Sequence, residues 1–140
     1  MRCVADTNVV VSALRSPRGA SAEFLRAVRR KSIRLVANVA LALEYEAACL
    51  RAEHQLAAGL GPTDVRVFVD AVIAMCDPVE THFMWRPQLR DPADELVLEA
   101  AVNGQADAIV TFNLRHFGTA PRMFGVELLR PIDVLRRIEP

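Results

Sequence analysis

Short apolar segments alternate with longer amphipathic segments along the chain, and this alternation restricts the fold more than any other feature. The apolar segments RCVAD, IRLVAN, ADAIVTF and GVELL each have the length of a buried strand. The segments between them carry apolar residues at helical spacing. Strands that alternate with helices predict a parallel sheet covered by helices on both faces.

The amphipathic segments also contain signals for helix ends. Ser21 is expected to cap the helix SAEFLRAVRRKS, and Asn38 to cap one long helix, VALALEYEAACLRAEHQL. Further helices are predicted from Pro62 to Cys76 and over PIDVLRRI. DPVE is predicted as a brief strand or extended link, and NLRHFGTAPRMFG as a loop or short turn. No repeat or linker divides the 140 residues, which predicts a single domain over residues 1–140.

The composition fits a folded protein, with 52% hydrophobic and 24% charged residues. No apolar run reaches the roughly 18 residues of a membrane helix, and the N-terminus lacks the pattern of a signal peptide. We therefore expect a cytoplasmic protein with no membrane partner. The three cysteines are far apart and lack metal-site spacing, which predicts buried, reduced thiols.

The charge is unevenly distributed although the net charge is zero. Residues 1–34 contain eight basic and two acidic residues, whereas residues 35–140 contain nine basic and fifteen acidic residues. The basic cluster RAVRRKSIR includes Arg26, Arg29, Arg30 and Lys31. It has two interpretations: a solvated helix end, where cations favour the helix dipole, or a surface for RNA phosphates.

Polar residues stand where two of the predicted strands end. Asp6 follows the first strand, and Thr111 and Asn113 close the strand ADAIVTF. In parallel sheets ligands bind beyond the carboxyl ends of the strands. These side chains are therefore candidates for a shared site.

Further acids lie on the helices that follow such strand ends. Glu44 falls within the apolar stripe of its helix, whereas Glu46 lies off it. Asp94 is one turn into the helix that Asp91 is expected to cap; taken alone, Asp94 also fits an acid that stabilises the helix dipole. Three carboxylates in one cleft, those of Asp6, Glu44 and Asp94, would repel one another unless a divalent cation bound between them. Oxygen ligands without convergent His or Cys indicate Mg²⁺ or Mn²⁺.

Four segments then occur in an order that resembles a known family. They are VADTNVVVSAL, the acid-containing LALEYEAACLR, RDPADELVLEAA and ADAIVTFNLRHF. The sequence resembles a PIN domain from residue 3 to about residue 137, and within that family the toxins of bacterial and archaeal toxin–antitoxin pairs.

The resemblance implies a metal-dependent ribonuclease with a three-layer α/β/α sandwich around a four- or five-stranded parallel sheet. The three family acids fall on Asp6, Glu44 and Asp94, the expected ligands of Mg²⁺ or Mn²⁺. The small polar residue before the last acid falls on Thr111, and the Asn that braces the first acid falls on Asn8.

One position departs from the pattern of the family. PIN domains commonly carry a fourth acid just after the strand ADAIVTF, and here that position is Asn113. An asparagine can position water through its carbonyl oxygen, but it brings no negative charge. Asp91 could supply the charge if its side chain turned inward, whereas Asp107 starts the strand and belongs to the opposite edge.

The resemblance also implies an RNA substrate, a cognate antitoxin protein and a homodimer. For the dimer, Phe83, Met84 and Trp85 are candidates for an exposed apolar patch, or they fold back onto the core. Two other functions stay open: a PIN-like domain that lost its chemistry and binds RNA or a partner, and a flavodoxin-like phosphoacceptor or nucleotide-binding domain. The second lacks a glycine-rich phosphate loop after the first strand.

Overall fold

The computed structural model describes residues 1–81 and 88–139. Its centre is a five-stranded sheet in which every neighbouring pair is parallel. In chain order the strands are β1 (Arg2–Ala5), β2 (Arg34–Ala37), β3 (Asp77–Pro78), β4 (Ala108–Val110) and β5 (Glu127–Leu129). Their spatial order is β3-β2-β1-β4-β5. The predicted α/β/α sandwich with a parallel sheet is confirmed, with five strands.

Helices connect the strands. In the described ranges they are α1 (Thr7–Arg15), α2 (Ala20–Arg29), α3 (Val39–Cys49), α4 (Ala52–Ala58), α5 (Pro62–Met75), α6 (Pro92–Asn103), α7 (Leu114–Phe117), α8 (Ala120–Met123) and α9 (Pro131–Ile138). None of these helices is long and apolar enough to cross a bilayer.

The core lies on both faces of the two central strands. Residues Cys3 to Ala5 of β1 and Ala108 to Val110 of β4 are fully buried, as expected for parallel strands covered on both sides. Tyr45 of α3 is also fully buried, and its hydroxyl donates a hydrogen bond to the Ala5 carbonyl oxygen. This bond links α3 to the end of β1, directly before Asp6.

The structure corrects the predicted long helix after β2. Asn38 caps α3 as predicted, accepting a hydrogen bond from the Leu41 amide at 2.8 Å. The helix stops at Cys49, because Arg51 adopts an extended conformation with φ −59° and ψ 137°. A separate helix α4 follows and contacts α1. No residue of α4 is buried, so the apolar stripe of α3 does not continue into α4.

Two further local predictions were wrong. Gly19, not Ser21, precedes the first residue of α2, and the buried Ser21 hydroxyl has no hydrogen-bond partner among the described residues. Glycine has no side chain that could mark a cap, so sequence alone favoured the serine. The segment predicted as a loop after β4 forms the short helices α7 and α8, around the buried side chain of Phe117.

The amino-terminal edge of the sheet carries its own polar contacts. Asp77 accepts hydrogen bonds from the guanidinium groups of Arg2 and Arg34, each at 3.5 Å. Asp107 accepts a 2.8 Å hydrogen bond from the Arg2 amide. Asp107 thus lies at the edge opposite Asp6, as predicted. Phe83, Met84 and Trp85, the predicted apolar patch, lie outside the described residues.

Candidate active site

Asp6 lies at the carboxyl edge of the sheet, where it directly follows β1 and is hydrogen-bonded to the neighbouring strand β4. Its amide donates a 2.8 Å hydrogen bond to the Val110 carbonyl oxygen, which extends the β1–β4 ladder by one residue. The chain then turns into α1, so the carboxylate sits at the helix start and is only 5% exposed. The sheet and the helix together fix the backbone at Asp6.

Thr111 fixes the orientation of the Asp6 carboxylate. Its hydroxyl donates a 2.7 Å hydrogen bond to Asp6 Oδ2 and accepts a 2.9 Å bond from the Asn113 amide. The Thr111 amide is bonded to the Leu129 carbonyl oxygen at 2.9 Å, and the whole residue is buried. The hydroxyl therefore has one donor and one acceptor role, which commits its single proton to Asp6.

Asp94 approaches the same site from α6. It is buried, with 7% exposure, one turn after Asp91, whose side chain caps the helix by accepting a 2.9 Å bond from the Ala93 amide. His116 of α7 brings its Nδ1 to 3.7 Å from Asp94 Oδ2, and its side chain is 58% exposed. Asp91 has the predicted capping role and also lies in the cleft beside Asp94.

The two buried carboxyl groups resist ionisation. Burial raises the pKa of Asp6 above its ordinary value, while the hydrogen bond from Thr111 acts in the opposite direction. Burial also raises the pKa of Asp94, and the negative charges of Asp6 and Asp91 raise it further, whereas His116 lowers it. Because burial disfavours the charge on both acids, and the charge of Asp6 also disfavours that of Asp94, a cation beside them would be stabilised.

Glu44 forms a wall of the same cleft, which has a volume of about 290 Å³. Its side chain is half-buried, as is that of Glu46, but only Glu44 is among the residues that line the cleft. Asn8 also lines the cleft, where it is exposed. Within the described ranges Asn8 makes no hydrogen bond to Asp6, and Thr111 makes the bracing contact instead.

The donor set fits a divalent cation at Asp6 and Asp94. Both offer hard oxygen atoms, and the Thr7 hydroxyl beside them is buried with no hydrogen-bond partner in the described part of the chain. In residues 1–81 and 88–139 no three or more His, Cys, Asp or Glu side chains converge closely enough to form a complete metal site. Glu44 and Asp91 thus line the same cleft as Asp6 and Asp94, but neither lies close enough to form a three-residue metal site with them.

The basic cluster is not brought to this cleft. Arg29 is the last residue of α2, and Arg30 and Lys31 lead into β2, whose first residue, Arg34, is bonded to Asp77 at the amino-terminal edge. A four-residue strand spans about 13 Å, and this length separates the cluster from the edge that carries Asp6. Arg26 pairs with Glu23 and donates to the Pro17 carbonyl oxygen.

Sequence reasoning missed three residues of the cleft. His116 was given no role, yet it follows Asn113 by three residues and so lies one helical turn from a predicted site residue. Arg51 and His54 also line the cleft. Their position depends on the break between α3 and α4, which the helical pattern did not predict.

A comparison with protein families matches residues 2–115 to the PIN domain. The match covers most of the chain and includes Asp6, Asp94 and Thr111. The chain belongs to the PIN domain family, whose members are generally nucleases that use divalent metals. Comparisons with curated proteins and with solved structures gave no match.

Proposed function

We propose that this PIN domain is a metal-dependent endoribonuclease that hydrolyses RNA phosphodiester bonds. The observation that carries the proposal is the pair Asp6 and Asp94, two buried carboxyl groups that line one cleft at the carboxyl edge of the sheet and that each have a raised pKa. A buried acid pair costs stability unless a cation or substrate compensates it. Such a cost is typical of functional sites.

Asp6 and Asp94 would hold Mg²⁺ or Mn²⁺, with Glu44 as the third acid on the cleft wall. When bound, the metal lowers the pKa of the attacking water and offsets charge that develops on the phosphate. The Thr111 hydroxyl holds Asp6 Oδ2 in place by a hydrogen bond, which fixes the orientation of the carboxylate and leaves Oδ1 to bind the metal. Asn113 lines the cleft and carries an amide that can hold water or a phosphate oxygen.

The biological role we propose is that of the toxin in a toxin–antitoxin pair, acting in the cytoplasm as a homodimer and inhibited by a cognate antitoxin protein. The order of the four family segments supports this role. Co-expression with the protein encoded by a neighbouring small gene, followed by purification through one partner, would test the antitoxin. Recovery of the chain alone, with growth unaffected by its expression, would contradict the toxin role.

The activity is tested with an end-labelled RNA pool incubated in Mn²⁺, in EDTA, and in EDTA followed by excess Mn²⁺. We expect cleavage in Mn²⁺, none in EDTA, and recovery on addition of the metal. Hydrolysis by water leaves a phosphate on one new end and a hydroxyl on the other, without a cyclic phosphate. Equal cleavage in all three incubations would contradict the proposal.

A second candidate function rests on Asn113. Without a fourth acid the cleft has less negative charge for a metal, and a PIN domain of this kind could act by binding RNA or a partner without cleavage. Metal titration separates the two functions. Saturable Mn²⁺ binding that requires Asp6 supports the ribonuclease, whereas no binding supports the binding-only domain.

A further inference from the structure

Two clefts meet at the acids of the candidate active site. The first, of about 290 Å³, is lined by Arg51 and His54 as well as the acids. The second, of about 600 Å³, extends toward Arg90 and Arg115. Asp91, Asp94 and His116 line both. The two clefts therefore form one groove with the acids in its middle and arginines toward both ends.

The arginines of this groove keep their charge available. Arg51, Arg90 and Arg115 are exposed, and none of the ion pairs within the described ranges includes them. By contrast, Arg130 and Arg137 are each paired with an acid. A guanidinium group with free donors can bind a phosphate through two parallel hydrogen bonds.

Arg15 adds one more positive charge next to His54, which lines the first cleft together with Arg51. The Arg15 guanidinium donates a 3.4 Å hydrogen bond to His54 Nδ1, and His54 Nε2 lies 3.8 Å from Glu53 Oε1. Acids at the centre of the groove repel a polyanion, and cations on both sides would offset that repulsion for the flanking phosphates. Charge in the groove thus alternates from basic to acidic to basic.

We propose that a single-stranded RNA lies along this groove, with Arg51 binding a phosphate on one side of the scissile bond and Arg115 binding one on the other. The proposal rests on the proposed ribonuclease function and names the residues that hold its substrate. It assigns substrate contact to the groove and not to the basic cluster at Arg29, Arg30 and Lys31, which lies at the opposite edge of the sheet.

The test compares Arg51→Gln and Arg115→Gln with Arg136→Gln, a matched control that removes the same charge from an exposed position near the end of α9. Steady-state cleavage of a labelled single-stranded RNA is measured in Mn²⁺ at several KCl concentrations. Thermal unfolding of each variant shows that the fold is intact. Arg51→Lys, which keeps the charge but not the planar fork, should lie between wild type and Arg51→Gln.

We expect each groove variant to raise KM about tenfold with little change in kcat, and to reduce the salt dependence of kcat/KM by about 0.7 in the log–log slope. Arg136→Gln should behave like wild type.

If wild type cleaves but the groove variants match the control, or if Arg30→Gln causes the larger loss, the proposed RNA path is wrong and the proposed ribonuclease function stands. If wild type does not cleave, the ribonuclease proposal fails, and fluorescence anisotropy with the intact RNA measures the same variants; an unchanged Kd would then overturn the groove as well.

Discussion

The hydroxyl of Thr111 donates a 2.7 Å hydrogen bond to Asp6 Oδ2, although the two residues are 105 positions apart in the chain. The bond joins the ends of β1 and β4, adjacent strands in the sheet. It spans the first and last of the matched family segments. The orientation of the central carboxylate therefore depends on the correct pairing of these two strands.

Replacing Thr111 with valine removes this hydrogen bond while keeping the shape of the side chain. Partners that orient a metal ligand are typically worth 10- to 100-fold in metal affinity, so we expect Mn²⁺ binding to weaken by about that factor. Thr111→Ser keeps the hydroxyl and should retain affinity near that of wild type. Calorimetric titration with Mn²⁺ measures both variants, and equal affinities for valine and serine would refute the orienting role.

The charge on Asp6 should destabilise the metal-free fold at neutral pH. Because burial raises its pKa in the folded state, folding favours the protonated acid, and this contribution to stability is lost as the pH rises through the raised pKa. We expect Asp6→Asn to raise the free energy of unfolding at pH 7 in EDTA. Mn²⁺ should raise the Tm of wild type but not of the variant. A metal-free variant less stable than wild type would contradict this prediction.

Tyr45 links α3 to Ala5, the residue before Asp6. Removal of the Tyr45 hydroxyl should lower the free energy of unfolding. Tyr45→Phe deletes the hydroxyl that donates to the Ala5 carbonyl oxygen in a fully buried environment. Loss of such a bond typically costs about 1 kcal/mol. Urea unfolding of the two proteins measures the difference. An unchanged free energy of unfolding would show that the bond contributes nothing net to stability.

The three thiols should make the fold sensitive to alkaline pH. Burial raises the pKa of Cys3 to about 12, of Cys49 to about 11 and of Cys76 to about 12. In the unfolded chain these thiols ionise near pH 8.5, so stability is full below that pH and falls as the pH rises toward the folded values, by about 1.4 kcal/mol per pH unit for each thiol.

Two measurements check the thiols. Denaturant unfolding between pH 8 and pH 10 should show this loss, and Cys49→Ala should reduce its slope. In the native protein at pH 8, alkylation by iodoacetamide should be slow, because only the thiolate reacts. Rapid alkylation of Cys3 and Cys49 in the native state would contradict their burial.

The sequence predicted the sheet because β1, β2 and β4 are short, largely apolar runs with mostly buried residues, and such runs are visible in the sequence. It also placed Asp6, Asp94 and Thr111 at one edge, since strand ends of a parallel sheet face the same way. The break at Arg51 was missed because α4 has no buried residue and hence no pattern of its own. His116 was missed because its role depends on α7, a four-residue helix whose formation depends on tertiary packing.

The measurement that tests the central claim most directly is Mn²⁺-dependent cleavage of a labelled RNA by wild type, Asp6→Asn and Asp70→Asn, prepared in parallel. Asp70 is an exposed acid on α5, so its variant removes the same charge outside the cleft. We predict that wild type and Asp70→Asn cleave at equal rates and that Asp6→Asn is inactive. A thermal unfolding curve is recorded to show that the Asp6→Asn protein is folded. Cleavage by Asp6→Asn at the wild-type rate would contradict the assignment of this cleft as a ribonuclease active site.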